Sequence, residues 1–322
     1  MQNIQKTEYN HPWIAQRADP YVLRHIDGFY YFTASVPEFD RIVLRRARSL
    51  DALALAEEHV VWTRHENGPM SCHIWAPELH WLDGRWYIYF AAGAQDHPWR
   101  IRPYVLECAD ADPILGNWVE KGKMECAGDD DFSFESFSLD ATVFEHREVR
   151  YLVWAEKVGV GKAISNLYIA VMENPCKLKT AQVLLTTPDY DWERIGYWVN
   201  EGPAVLKKNG KIYISFSCSA TDENYCVGLL TADENTDLLD PQSWKKSHFP
   251  VLRTDEEKGV YGPGHNCFTQ SEDGRDVMIF HARPYPGTIG TPLNDPNRHA
   301  LRMEVRWDSN GDPVFEYQKQ NT

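Results

Sequence analysis

The sequence predicts an all-β fold: a five-bladed β-propeller with four-stranded antiparallel blades around a central channel. Three observations predict it. A degenerate unit of about sixty residues recurs five times along the chain. Each unit opens on a short apolar stretch, passes through a polar turn, and continues into a strand rich in aromatic and β-branched residues. Helical periodicity is weak throughout, its best candidate being the short run SLDALALAEEHV. Four short strands fill a unit of that length, which is the sheet of one propeller blade. A β-sandwich of ordinary hairpins is the competing architecture, and the near-equal spacing disfavours it. The whole chain, 1–322, reads as a single propeller domain.

The units follow one another in order. The first reads YVLRHIDGFYYFTAS from Tyr21, the second ELHWLDGRWYIYFAAG from Glu78, and the third ATVFEHREVRYLVWAE from Ala141. The fourth is PAVLKKNGKIYISFSCS from Pro203 and the fifth NCFTQSEDGRDVMIFHAR from Asn266. Four of the turns, IDGF, LDGR, KNGK and EDGR, carry Asp-Gly or Asn-Gly, the strongest short hairpin signal. A third strand follows in each, as in RIVLRRA, PYVLECA, NLYIAVM, YCVGLLT and ALRMEVRWD. A polar loop comes next, often with Pro and Trp, as in DADPILGNW and LLDPQSW.

Composition narrows the function classes. Hydrophobic residues make up 43% and charged residues 25%, the balance of a globular protein. Aromatic content is 13%, with 12 Trp and 16 Tyr, suited to strands and to stacking on the flat faces of a ligand. With 33 basic and 47 acidic residues the net charge is −14, which argues against nucleic acid and against an anionic membrane as partners. No apolar run approaches the length that crosses a bilayer. The opening residues MQNIQKTEYNHPW lack the charged and apolar regions of a signal peptide, so a cytoplasmic location is expected. The seven cysteines are scattered without a CxxC pair, the pattern of free thiols rather than of a disulfide framework or a zinc ribbon.

The repeat gives the acids their meaning. Just ahead of the apolar stretches stand Asp19, Glu78, Asp140, Glu201 and His265. In a propeller the innermost strands line the channel, so equivalent positions of successive blades converge on one mouth. Asp19 alone, in RADPY, reads as a turn residue before proline; Asp140 in SLDATVF and Glu201 in VNEGPAVL read similarly when taken singly. In phase with a five-fold repeat they become a trio of acids at one mouth. Like charges raise one another's pKa, and such a group can hold one carboxyl protonated as an acid and another ionised as a base. No GxSxG, Walker A, GxGxxG or HExxH motif competes with this reading.

The chain resembles glycoside hydrolase family 43, whose members are five-bladed propellers acting on arabinose- and xylose-containing glycans. The resemblance rests on ADP near the N-terminus, WAPEL in the second unit, SLDATVF in the third, NEGP in the fourth, and GHN followed by HAR in the fifth. It implies that Asp19 is the general base, Glu201 the general acid, and Asp140 the residue that tunes and orients the acid. It also implies inversion, with water attacking the anomeric carbon directly. His265 matches the family's channel histidine, beside which a Ca2+ ion or a water cluster often sits; the chemistry itself requires no cofactor. Arg283 matches an arginine that reaches the site, to hold a sugar hydroxyl or keep Asp19 ionised. Trp75, in IWAPEL, is a candidate wall for the sugar pocket, with core packing as the alternative. Phe32, His73 and Glu78 are further nominees, and no chemistry is assigned to Glu78.

The expected activity is that of an exo-acting α-L-arabinofuranosidase on arabino-oligosaccharides, the partner being an arabinose- or xylose-containing oligosaccharide. A β-xylosidase or an endo-arabinanase of the same family is the alternative. A non-catalytic sugar-binding propeller is the alternative of another class, disfavoured because binding alone has no need of a repulsive trio.

Overall fold

The structure, a computed structural model, describes residues 12–317. Strands dominate, and each blade is built from consecutive ones. Blade one comprises β1 (Ala18–Arg24), β2 (Tyr30–Ser35), β3 (Arg41–Ala47) and β4 (His59–Thr63), with the short helix α1 (Leu50–Leu55) between the last two. Blade two comprises β5 (Cys72–Leu82), β6 (Arg85–Ala94), β7 (His97–Cys108) and β8 (Trp118–Lys123). In blade three, β9 (Ser138–His146), β10 (Val149–Val160) and β11 (Lys162–Asn174) are completed by two short strands, β12 (Lys177–Leu178) and β13 (Val183–Thr186), which both pair with β11. Blade four runs β14 (Asn200–Lys208), β15 (Lys211–Cys218), β16 (Cys226–Asp233) and β17 (Lys245–Lys246). Blade five has β18 (Tyr261–Gln270), β19 (Asp276–Arg283) and β20 (His299–Glu304), after which β21 (Arg306–Trp307) and β22 (Pro313–Val314) form a small hairpin. The predicted propeller is therefore the fold observed.

The fifth blade shows how the ring is closed. Its fourth position is filled from the other end of the chain by one residue, Ile14, which forms an antiparallel bridge with Ala300 of β20. Ile14 N–H donates to the Ala300 carbonyl at 3.2 Å and Ala300 N–H returns the bond at 2.9 Å. Trp13 packs edge-on against Phe32 at 5.8 Å beside this seam.

Each sheet is twisted and buried on both faces, so its neighbours share a hydrophobic layer with it. Leu44, Ile88 and Leu106 fill the space between blades one and two; Tyr89, Trp154 and Ala170 that between two and three. Ile169, Ile212 and Phe216 lie between blades three and four, and Tyr213, Met278 and Phe280 between four and five. Phe32, Val22 and Ile279 close the ring between blades one and five. Phe32, expected at the substrate, is instead a fully buried member of that layer. Its place on β2, the second strand of the blade, turns it toward the neighbouring sheet instead of the channel.

One irregularity, repeated five times, positions the site. In every blade the innermost strand carries an extra residue opposite its partner: 19 and 20 face Ala34, 76 and 77 face Phe90, 140 and 141 face Trp154. In blades four and five, 202 and 203 face Phe216, and 265 and 266 face Phe280. The first residue of each pair has positive φ: Asp19 at 52°, Ala76 at 45°, Asp140 at 56°, Gly202 at 54° and His265 at 42°. Left-handed backbone is uncommon away from glycine, and a bulge bends the strand and re-aims its side chains. Here it does so at one level around the whole channel.

Candidate active site

The bulges settle the structural register. Asp19, Asp140 and His265 occupy the equivalent left-handed position, as the repeat predicts. In blade two that position belongs to Ala76, and Glu78 lies two residues further along the strand, where its carboxylate pairs with His80 Nε2 at 2.8 Å. In blade four it belongs to Gly202, so Glu201 precedes the bulge instead of occupying it. Sequence spacing alone misaligns these two blades by one or two residues, because the acid of each stands beside the bulged position and not on it.

Asp19 is 7% exposed and held by four neighbours. Ser35 Oγ donates to its Oδ2 at 2.6 Å, and Arg298 Nη1 donates to Oδ1 at 3.2 Å. His265 Nδ1 stands 3.4 Å from Oδ1. The ring of His281 accepts the Asp19 backbone N–H on Nδ1 at 3.1 Å. Burial by itself pushes the carboxyl up, but the charges of Arg298 and His265 outweigh it and hold Asp19 well below the usual carboxylate range. His281 is pushed down to about 3, chiefly by burial, so it is a neutral acceptor.

Glu201 and Asp140 are in the opposite condition. Burial pushes Glu201 up against the pull of a 2.8 Å hydrogen bond from Tyr225 Oη and the charge of His265. Burial also pushes Asp140 up to about 7, with the charges of Glu201 and Asp19 adding to it. Asp140 Oδ2 accepts the N–H of Gly202 at 3.0 Å, the residue after Glu201, which ties the two acids together. His265 Nδ1 lies 3.9 Å from Asp140 Oδ2. Burial disfavours its charged form, but the surrounding carboxylates raise its pKa overall, which favours a positive ring between Asp19 and Asp140. Lys157, over the ring of Phe137 at 3.8 Å, adds a positive field at Glu201.

Other nominated residues sort differently. Arg283 is buried but spent elsewhere: its guanidinium bonds Asp295, the Thr221 carbonyl and the Pro292 carbonyl. It braces the segment after β19, and the arginine on Asp19 is Arg298, which the sequence reading missed. Arg283 ends β19 and Arg298 directly precedes β20, and only the path of the loop between them decides which reaches inward. Trp75 is 9% exposed and directly precedes Ala76, whose N–H donates to the Ser35 hydroxyl that holds Asp19. It therefore stands beside the acids, stacked on His73 with ring centres 4.6 Å apart. Tyr225 was also missed, although TDENYC carries no signal that marks it. As for Ca2+ at His265, the described residues hold no group of three or more His, Cys, Asp or Glu arranged around a metal. A mostly hydrated ion needs no such group, and no step below passes through a metal.

Fold and site together define a five-bladed propeller whose mouth carries one carboxyl held below the usual carboxylate range and two pushed above it. Residues 9–313 match the family model described as glycosyl hydrolases family 43, and the chain belongs to that family. It is 48% identical to a Streptomyces avermitilis protein named extracellular exo-alpha-(1->5)-L-arabinofuranosidase, over 95% of this chain and 63% of that relative. A Streptomyces chartreusis protein of the same name is 52% identical over 88% of this chain and 85% of the relative. The crystal structure of an alpha-L-arabinofuranosidase from Lactobacillus brevis superposes with a TM-score of 0.91 at 46% identity, covering 99% of this chain and all of that one. This chain thus spans somewhat under two thirds of the first relative and most of the second. Both Streptomyces relatives are named as extracellular, which overturns the expected cytoplasmic location. That expectation leaned on the first residues, of which 1–11 lie outside the described part; a secretory leader is cleaved, so its absence from a sequence does not report a compartment.

Proposed function

We propose that this chain is an inverting, exo-acting α-L-arabinofuranosidase that removes terminal arabinose from arabino-oligosaccharides. The observation that carries the reading is the split of the three carboxyls: Asp19 ionised, Glu201 and Asp140 biased toward the protonated form within one mouth. Two titratable groups pushed apart by their surroundings are the signature of a base and an acid. In this assignment Asp19 takes a proton from a water as that water attacks the anomeric carbon. Glu201 gives its proton to the departing glycosidic oxygen, so the bond breaks without expelling an alkoxide. Burial and the charge of Asp19 raise the Glu201 pKa, and Asp140 fixes the strand after it through the Gly202 N–H. His265 offsets the excess negative charge without competing for the leaving oxygen.

Exo action is supported by the mouth's rim. Asp295 is buried and gathers the segment after β19 by accepting from Ile289 N–H, Asn297 N–H, Tyr285 Oη and Arg283 Nε. That segment supplies Leu293, Pro296 and Arg298 to the wall of a small cavity shared with Ala18, Val36 and Phe39, and Arg298 reaches Asp19. A wall there favours a pocket that accepts a chain end over a groove that accepts its middle. The names of the relatives point to the same sugar.

Two measurements test the reading. Proton NMR of the arabinose first released from an α-arabinofuranoside should show the β-anomer, and the retained anomer would exclude Asp19 as a base. Glu201→Gln should abolish turnover of arabino-oligosaccharides, by about 10²–10⁴-fold, while losing far less on an aryl arabinofuranoside with an acidic phenol. Equal losses on both would remove Glu201 from the role of acid.

A further inference from the structure

The rim of blade two carries an aromatic side chain that neither the fold nor the three acids require. Trp99, at the start of β7, is 61% exposed. Its ring lies 4.9 Å from that of His73, which in turn is stacked on Trp75 at 4.6 Å and 24°. Trp75 and Trp99 are themselves 6.3 Å apart at 50°. The three rings form a continuous step from Trp75, beside the Ala76–Ser35–Asp19 chain of hydrogen bonds, out to solvent.

The step is built on a fixed support. His73 is held through Nδ1 by the Pro98 carbonyl at 2.9 Å, one residue before Trp99. Gly93 lies so close beneath the hairpin that a Cβ there would stand 2.4 Å from the same carbonyl. Ile101, fully buried, anchors the other side. An indole held in place with a free face has already lost the freedom that binding would otherwise remove. What sets Trp99 apart from other exposed apolar side chains is its continuity with the rings of His73 and Trp75, and the C–H faces of sugars pack on such aromatic faces.

We propose that Trp99 is the platform for the sugar on the leaving-group side of the bond that is cut, the second arabinofuranosyl unit of an α-1,5-linked chain. This rests on the function proposed above. The step starts at Trp75, beside the acids that cut the terminal sugar, and leads outward, so Trp99 sets the preference for oligosaccharides over simple arabinosides. Its contribution is to binding, and the acids act without it.

The test compares wild type, Trp99→Ala and Trp99→Phe on α-1,5-L-arabinotriose and on α-L-arabinofuranosyl fluoride, whose leaving group is too small to reach the platform. Trp99→Ala should raise KM for arabinotriose about tenfold, with fluoride kinetics unchanged, and Trp99→Phe should recover most of the loss. Equal losses on both substrates, or no loss on arabinotriose, would overturn the platform. So would a change in oligomeric state in Trp99→Ala, which would assign the exposed ring to a contact between copies. Should wild type cleave neither substrate, the proposed function itself fails. Calorimetric titration of arabinotriose into Glu201→Gln, with and without Trp99→Ala, then decides the platform separately, and equal affinities would refute it.

Discussion

At the residue scale the site works by unequal treatment of similar groups. Asp19 and Asp140 share a strand position, a left-handed backbone and almost complete burial, yet their carboxyls are driven in opposite directions. The difference is their company. Arg298 and Ser35 converge on Asp19, whereas Asp140 has a backbone N–H and the unfavourable charges of two other acids. Tyr225 gives the clearest handle on this balance. Its hydroxyl donates to Glu201, favours the ionised carboxylate and so lowers the acid's pKa. Removing it must raise that pKa. A general acid acts in its protonated form, so the role proposed for Glu201 predicts that the basic limb of kcat/KM moves to higher pH in Tyr225→Phe, on the order of one pH unit. A pH–rate profile of the variant checks this, and a limb that moves to lower pH would contradict the hydrogen bond's assigned direction.

At the element scale, strand ends are held by buried polar groups that have no part in the chemistry. The 3-10 turn at Asp191–Glu193 precedes β14 and places Glu193 in complete burial. Its carboxylate meets Lys246 Nζ at 2.6 Å and accepts from Asn200 Nδ2 at 3.0 Å and from the N–H groups of Asp189 and Tyr190. Asn200 is the residue before Glu201, so this cluster fixes where β14 begins. A buried ion pair adds little net stability when intact, but removing one partner leaves an uncompensated charge. Lys246→Met should therefore cost about 3–5 kcal/mol in denaturant unfolding. Adding Glu193→Gln in the same chain should recover part of it, by removing the stranded charge. A Lys246→Met chain as stable as wild type would show that Glu193 is neutral in the fold.

At the scale of the whole molecule, the ring must be closed by something, and the two bonds between Ile14 and Ala300 join the chain's beginning to its last blade. Ile14 is 3% exposed, so its side chain is also part of the seam. Ile14→Pro deletes the donor and disturbs the bridge. The melting temperature should fall on the order of 5 °C, and hydrogen exchange should rise first in β1 and β20 on either side of the seam. Exchange that rises evenly across all blades would mean that the seam is not where opening begins.

The amino-acid sequence by itself determined the strands, the turns, the five-fold repeat and which three acids stand near one another. Those follow from local rules: alternation of apolar side chains, Asp-Gly and Asn-Gly corners, and a hydrophobic stretch long enough for one inner strand. Even the corner without glycine, at Arg147 and Glu148, is legible as a hairpin from its flanking strands, although both residues adopt positive φ. Only the tertiary structure decided the rest. It set Ala76 and Gly202, not Glu78 and Glu201, at the bulges, because a bulge is defined by pairing with the neighbouring strand. It chose Arg298 over Arg283 for Asp19, sent Phe32 into the layer between blades, and brought Tyr225 onto Glu201. Arg298 and Asp19 are 279 residues apart in the chain. Such partners are joined by ring closure and loop path, to which no local periodicity extends.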